Sequence, residues 1–160
     1  MHRSELVFAY GSNMDPAQMR ERCPESDLSW FIAEAREWRL CFPRRSDKRK
    51  GGVGSIVADK AKSVWGVVFS VSECDMKRLD RFEGVPKSYK RDHISVTDQG
   101  GGGHIVWTYF AIPQDDPAKE YDPHEDYIGL YVKGAEYFSL PAGYVESLRA
   151  LKARGCDRTP

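Results

Sequence analysis

Leu6-Val7-Phe8-Ala9-Tyr10, then Gly11-Ser12-Asn13-Met14, then Asp15-Pro16 reads as a strand, a tight loop and the first residues of a helix. The apolar run is rich in strand formers and stops at a glycine. Asp15 before Pro16 is the pattern of an N-cap and a first helical residue, opening a short helix to about Arg22. A strand that feeds such a loop points several backbone N–H groups into one concavity, which suits a carboxylate or a developing oxyanion. Gly11 permits close backbone approach, and Ser12 and Asn13 add short polar side chains. Asp15 would itself occupy some of the helix N–H groups, leaving the binding to the loop. On the tetrapeptide alone, an ordinary strand–turn–helix connection accounts for the pattern as well.

Working outward, a second extended region runs from about Trp30 to Phe42, the basic cluster Arg44 to Gly52 interrupts it, and Val53 to Ala58 resumes it. Val64 to Val71 is an apolar strand. Ser72 with Asp75 three residues on caps a helix that Gly84 ends. Tyr89 to Thr97 and His104 to Ile112 read as paired strands, joined by Asp98-Gln99 and four glycines as a mobile hairpin loop. Asp122-Pro123-His124-Glu125 caps a helix expected to end at Gly134. Pro141 opens a last helix with Tyr144, Leu148 and Leu151 on one face and Gly155 beyond its end. Strands predominate early and helices late. That argues for an α+β class, a mainly antiparallel curved sheet or partial β-barrel flanked by short helices.

With 160 residues the chain is expected to be a single domain, residues 1–160, burying roughly 70% of its unfolded surface. Lys and Arg number 24, as do Asp and Glu, so no global field favours nucleic acid or an anionic membrane. The N-terminal apolar stretch is too short for a signal segment, and nothing approaches the ~18 apolar residues of a bilayer span. Cys23, Cys41, Cys74 and Cys156 lack metal-ligand or framework spacing, which reads as reduced thiols in a cytoplasmic protein. His2, His93, His104 and His124 are scattered, so no metal site is expected.

The helix after Ser72 carries the second chemical signal. Met76, Leu79 and Glu83 fall on one face, whereas Lys77, Arg78 and Arg81 point away. Glu83 therefore sits on the buried stripe, and partial desolvation of a carboxylate raises its pKa towards the range useful for proton transfer at neutral pH. On phase alone, an arginine partner or a place at the rim is the favoured reading of this glutamate, because charges are rarely buried unless paired.

Together the two signals resemble a known family. Phe8 to Met14 is similar to the N-terminal signature of the gamma-glutamylcyclotransferase-like superfamily, which includes the AIG2-like proteins. Leu79-Asp80-Arg81-Phe82-Glu83-Gly84-Val85 resembles its second signature. Lys50-Gly51-Gly52-Val53 with Ser55-Ile56, Val64 to Phe69, and Lys133-Gly134-Ala135 leading to Leu140-Pro141 are similar too. The likeness runs in order from about Val7 to Leu151. Arg81, Phe82 and Pro86 around the glutamate resemble bacterial or plant AIG2-like members.

The resemblance implies an enzyme that expels 5-oxoproline from a gamma-glutamyl amino acid or related gamma-glutamyl compound without metal or organic cofactor. It implies that Tyr10, Gly11, Ser12 and Asn13 hold the gamma-glutamyl head, that Glu83 is the acid/base, and that Tyr89 and Tyr127 line the pocket. A gamma-glutamylamine cyclotransferase, a metabolite-tailoring enzyme and a non-catalytic binder of small carboxylates stay open as alternatives. So does a homodimer. The basic loop Arg44 to Lys50 reads as solvated, flanking the pocket on its leaving-group side, because no aromatic platform for nucleic acid is interleaved with it.

Overall fold

The elements follow from local chemistry, and their order places the site. The computed structural model describes residues 3–156, so His2 lies outside the described residues. Strand β1 (Ser4–Ala9) enters a 3-10 turn (Ser12–Met14) and helix α1 (Pro16–Arg22). The long strands β2 (Trp30–Ser46) and β3 (Gly51–Ser72) follow, then α2 (Glu73–Glu83), β4 (Tyr89–Asp98), β5 (Gly103–Ala111), α3 (Glu125–Tyr137) and α4 (Ala142–Cys156).

The strands close into a five-stranded barrel in the order β1-β3-β2-β4-β5. Sequential neighbours pair antiparallel, and β1 meets β5 in parallel at Val7 opposite Trp107. The sheet is thus curved and mainly antiparallel, and it is fully closed where a partial barrel was the open-ended expectation. Alternation along β1 sets the layers. Phe8 and Tyr10 pack inside the barrel with Ala33, Ala35, Val64, Val68 and Val106, while Val7 and Ala9 pack outward under the helices with Met14, Ile128, Tyr131 and Leu148.

Two caps behave as the sequence suggests. The Asp15 side chain accepts the Gln18 N–H and the Ser72 side chain accepts that of Asp75. Gly84 ends α2 in the left-handed conformation, with the Val85 N–H reaching back to the Asp80 carbonyl.

Four boundaries differ from expectation. The basic cluster does not interrupt the sheet at Arg44: β2 runs to Ser46, with Arg44 opposite Val53 and Arg45 opposite Gly52. Nor does the extended pattern stop between Ala58 and Val64. β3 is continuous, and its residues Asp59 to Lys62, set opposite the single Glu37 whose φ is 67°, bulge out to take up the shift between the Arg36–Ser63 and Trp38–Ala58 pairs. Helix α3 passes through Gly134. A Cβ there would lie 2.4 Å from the Cβ and carbonyl oxygen of Met14, so this glycine serves close packing of α3 on the 3-10 turn. The left-handed terminator is Ser139, followed by the Leu140 N–H bonding to the Ala135 carbonyl. Helix α4 likewise continues through Gly155 to Cys156, since a glycine permits a helix end without imposing one.

The β4–β5 loop is tied rather than loose. Asp98 Oδ1 accepts the N–H groups of Gly100 and Gly102, and Oδ2 lies 2.7 Å from His104 Nε2. Among the described residues no helix is long and apolar enough to cross a membrane.

Candidate active site

The strand–turn–helix of the N-terminus and the end of α2 meet over one cavity of about 340 Å³. Tyr10, Gly11, Ser12, Asn13, Glu83, Tyr89 and Tyr127 all line it, so the structure brings every sequence-predicted site residue into one place.

Glu83 reaches it because α2 buries Met76 and Leu79 against the core and carries its last residue to the cavity wall. Its side chain is 14% exposed. Asn13 Nδ2 donates to Glu83 Oε1 at 3.1 Å, and Arg22 Nη1 stands 3.6 Å from the same oxygen. Burial and the arginine partner, which the sequence left as alternatives, therefore occur together. Burial pushes the Glu83 carboxyl above its ordinary value, while Arg22 and the Asn13 hydrogen bond pull the other way without overcoming it. Burial also lowers the Arg22 guanidinium.

Asn13 is oriented from behind. Its Oδ1 accepts from Gln18 Nε2 at 3.1 Å and from Arg22 Nη1 at 2.9 Å, which turns its amide nitrogen towards Glu83. Gln18 also donates to Ser12 Oγ and accepts from Arg49 Nη2 at 3.0 Å. One chain of hydrogen bonds thus runs from the β2–β3 hairpin, through α1 and the loop, to the glutamate.

The loop's own turn uses the Met14 and Asp15 N–H groups, which bond to the carbonyls of Gly11 and Ser12. Only the N–H groups at the head of the turn precede these bonds, so the cradle is smaller than a full helix start would offer.

Tyrosines form the opposite wall. Tyr127 Oη accepts the Gly54 N–H at 2.8 Å and lies 2.9 Å from Tyr131 Oη, and Tyr89 donates to the Gly54 carbonyl at 2.8 Å. Gly54 is held from both sides. A Cβ there would come within 1.9 Å of Tyr131 Oη, so the cage requires glycine. Tyr10 donates to the Tyr109 carbonyl, and Tyr109 donates to Asp80 Oδ1 at 2.7 Å. Burial raises the hydroxyls of Tyr10, Tyr89, Tyr127 and Tyr131, keeping them neutral hydrogen-bonding groups.

Sequence reasoning missed Gln18, Arg22, Gly54 and Tyr131. The signals were present: Gln18 and Arg22, like Tyr127 and Tyr131, are spaced i, i+4, and a glycine inside a strand marks close approach of another group. The basic cluster flanks the cavity as anticipated, with Arg44, Arg45, Lys48 and Arg49 on its wall.

A buried carboxylate of raised pKa, a side-chain amide aimed at it and a neutral tyrosine cage can together bind a small polar molecule and move a proton on it.

Comparison with known proteins gives this geometry a context. A family model, the AIG2-like family, matches residues 63–148, a span that holds Glu83, Tyr89 and Tyr127. The gamma-glutamylcyclotransferase of Homo sapiens is 27% identical over 154 residues, covering 93% of this chain and 79% of that protein. That of Mus musculus is 28% identical over 152 residues, covering 92% and 78%. A solved gamma-glutamyl cyclotransferase structure superposes with a TM-score of 0.84 at 27% identity, covering 92% of this chain and 88% of the other.

Proposed function

The chain belongs to the AIG2-like family, within the gamma-glutamylcyclotransferase-like superfamily, and from that premise we propose that it is a cyclotransferase releasing 5-oxoproline from a small gamma-glutamyl compound. The observation that carries this reading is the single carboxylate of raised pKa, Glu83, set 3.1 Å from Asn13 in the cavity that Tyr10 to Asn13 also line.

The substrate's gamma-glutamyl head lies against the loop, its α-carboxylate towards the head of the 3-10 turn. Glu83 in its ionised form takes a proton from the α-ammonium. The freed α-amine attacks the γ-carbonyl carbon of the same molecule, forming the C–N bond of a five-membered ring. As the tetrahedral centre collapses, the bond to the leaving nitrogen breaks and that nitrogen receives the proton from Glu83. Glu83, ionised again, then takes the second proton from the new ring nitrogen and passes it to the departed amine, which leaves as an ammonium, so two protons are moved in all and no oxidant, reductant or co-substrate enters.

Ring closure within one molecule carries a large proximity advantage, and the protein needs mainly to fold the substrate and shuttle protons. A raised pKa suits that task, because a carboxyl nearer neutrality both accepts and returns a proton readily. We place the enzyme in the cytoplasm, consistent with Cys23 and Cys41 buried as thiols that burial pushes up to about 12 and about 11.

The test is 5-oxoproline release from gamma-glutamyl amino acids and gamma-glutamyl amines by the wild type and Glu83→Gln. Release by the wild type and not by the variant is the expected result. Equal release by both removes Glu83 from the mechanism. Binding without release by either protein would favour a non-catalytic carboxylate binder.

A further inference from the structure

The cavity is charged unevenly along its depth. Arg22 from α1 and Arg44, Arg45, Lys48 and Arg49 from the β2–β3 hairpin line it, and Glu83 is the one carboxylate among its lining residues. Arg22 is answered by Glu83. Among the described residues no carboxylate forms an ion pair with the other four cations. Arg44 donates to the Ile112 carbonyl, and Arg49 bonds the Gln18 amide and covers the Tyr127 ring. Arg45 and Lys48 are exposed at the mouth. Asp47, on the same turn, is outside the lining. This excess occurs in a chain whose acidic and basic residues balance at 24 each, so positive charge has been sorted to this cavity.

A gamma-glutamyl head cannot answer it. Its α-carboxylate and α-ammonium cancel, and although Arg49 acts on Glu83 through its charge, Arg45 and Lys48 are exposed without an acidic partner among the described residues. Whatever neutralises them belongs to the other half of the bound molecule. We propose that the leaving half of the substrate is a dicarboxylate, such as an acidic amino acid, with Arg45 and Lys48 contacting its two carboxylates.

This inference rests on the cyclotransferase reading for the word "leaving", while the charge argument concerns binding alone. A cleft lined by one sign of charge concentrates ligands of the opposite sign and speeds their entry. Guanidinium groups grip carboxylates in two-pronged geometry, whereas a lysine acts as a point charge. Arg44 and Arg49 are already anchored by neutral partners, so less side-chain freedom is lost when an anion arrives. A neutral alkylamine or a cationic one has nothing to offer these groups.

The experiment compares gamma-glutamylglutamate, gamma-glutamylalanine and gamma-glutamylethylamide in two assays run side by side. One is kcat/KM for 5-oxoproline release by the wild type, and the other is calorimetric binding to Glu83→Gln. Both are expected to fall in that order, by roughly threefold or more for each carboxylate removed at low salt, with the differences shrinking as salt rises. In the double variant Arg45→Gln/Lys48→Gln the ratio of dicarboxylate to ethylamide falls towards one. Lys60→Gln, at an exposed position outside the cavity lining, keeps the wild-type ratio. Equal binding of all three compounds, or a preference for the ethylamide, overturns the proposal. So does a double variant that melts like the wild type and keeps the wild-type ratio. If no compound yields 5-oxoproline but the order of binding holds, the cyclotransferase reading falls and the anionic partner stands.

Discussion

The two ends of the cavity are built on opposite principles. At the inner end the polar side chains hold one another: Asn13 touches Glu83, Gln18 and Arg22, and the tyrosines hold Gly54 from both sides. At the outer end Arg45 and Lys48 stand exposed without an acidic partner among the described residues. A reaction that shuttles protons through one carboxylate needs its groups fixed before the substrate arrives, and fixing requires partners. Selection among substrates needs charge left unanswered until binding. The protein separates the two demands by depth.

Replacing Glu83 breaks the inner end most completely. Glu83→Gln keeps the shape and removes the proton carrier, so 5-oxoproline release is expected to fall roughly 10²–10⁴-fold with little change in substrate affinity. Steady-state kinetics together with calorimetric binding would separate those effects.

Gly54→Ala attacks the same end through volume. The added methyl collides with Tyr131 Oη, and overpacking of this kind costs about 1–3 kcal/mol, to be read by urea denaturation. Stability equal to that of the wild type would mean that the tyrosine cage yields easily and is not preorganised.

The pH profile sharpens the comparison. Glu83 acts first as a base, so kcat/KM should fall as pH drops through its pKa, which burial holds above the ordinary glutamate value. The Asn13 hydrogen bond favours the ionised form, so Asn13→Ala should move that acidic limb to still higher pH and slow the neutral-pH reaction roughly tenfold. A limb at the ordinary glutamate position would contradict the desolvated site.

The smallest effect belongs to the outer end. Arg45→Gln alone is expected to reduce kcat/KM for a dicarboxylate substrate roughly two- to threefold at low salt, and less at high salt.

How far these ends were legible follows from where their information lies. Ser72, Asp75 and Gly84 set the limits of α2 through contacts within a few residues, and the phase of Met76, Leu79 and Glu83 told which face is buried. Asp15 and Pro16 did the same for α1. The gathering of Asn13, Gln18, Arg22 and Arg49 around the glutamate left only the i, i+4 spacing of Gln18 and Arg22 as a trace, because each contact joins separate elements and a cation on a helix or a turn looks like a solvated one. Gly134 misled for a related reason: a glycine kept for contact with Met14 has the same one-letter appearance as a helix stop. The parallel meeting of Val7 with Trp107, which closes the barrel, depends on residues a hundred positions apart and leaves no local trace.

That closure also sets a timetable. A ribosome delivers the chain from its N-terminus, yet β1 finds its last neighbour only when Trp107 has emerged, and Gly11 meets Tyr131 later still. The signature loop is among the first segments synthesised and among the last to acquire its surroundings. Nascent chains halted before α3 would hold the loop, Glu83 and Tyr89 without Tyr127 and Tyr131, so catalytic competence should arise late in synthesis, after the barrel has formed.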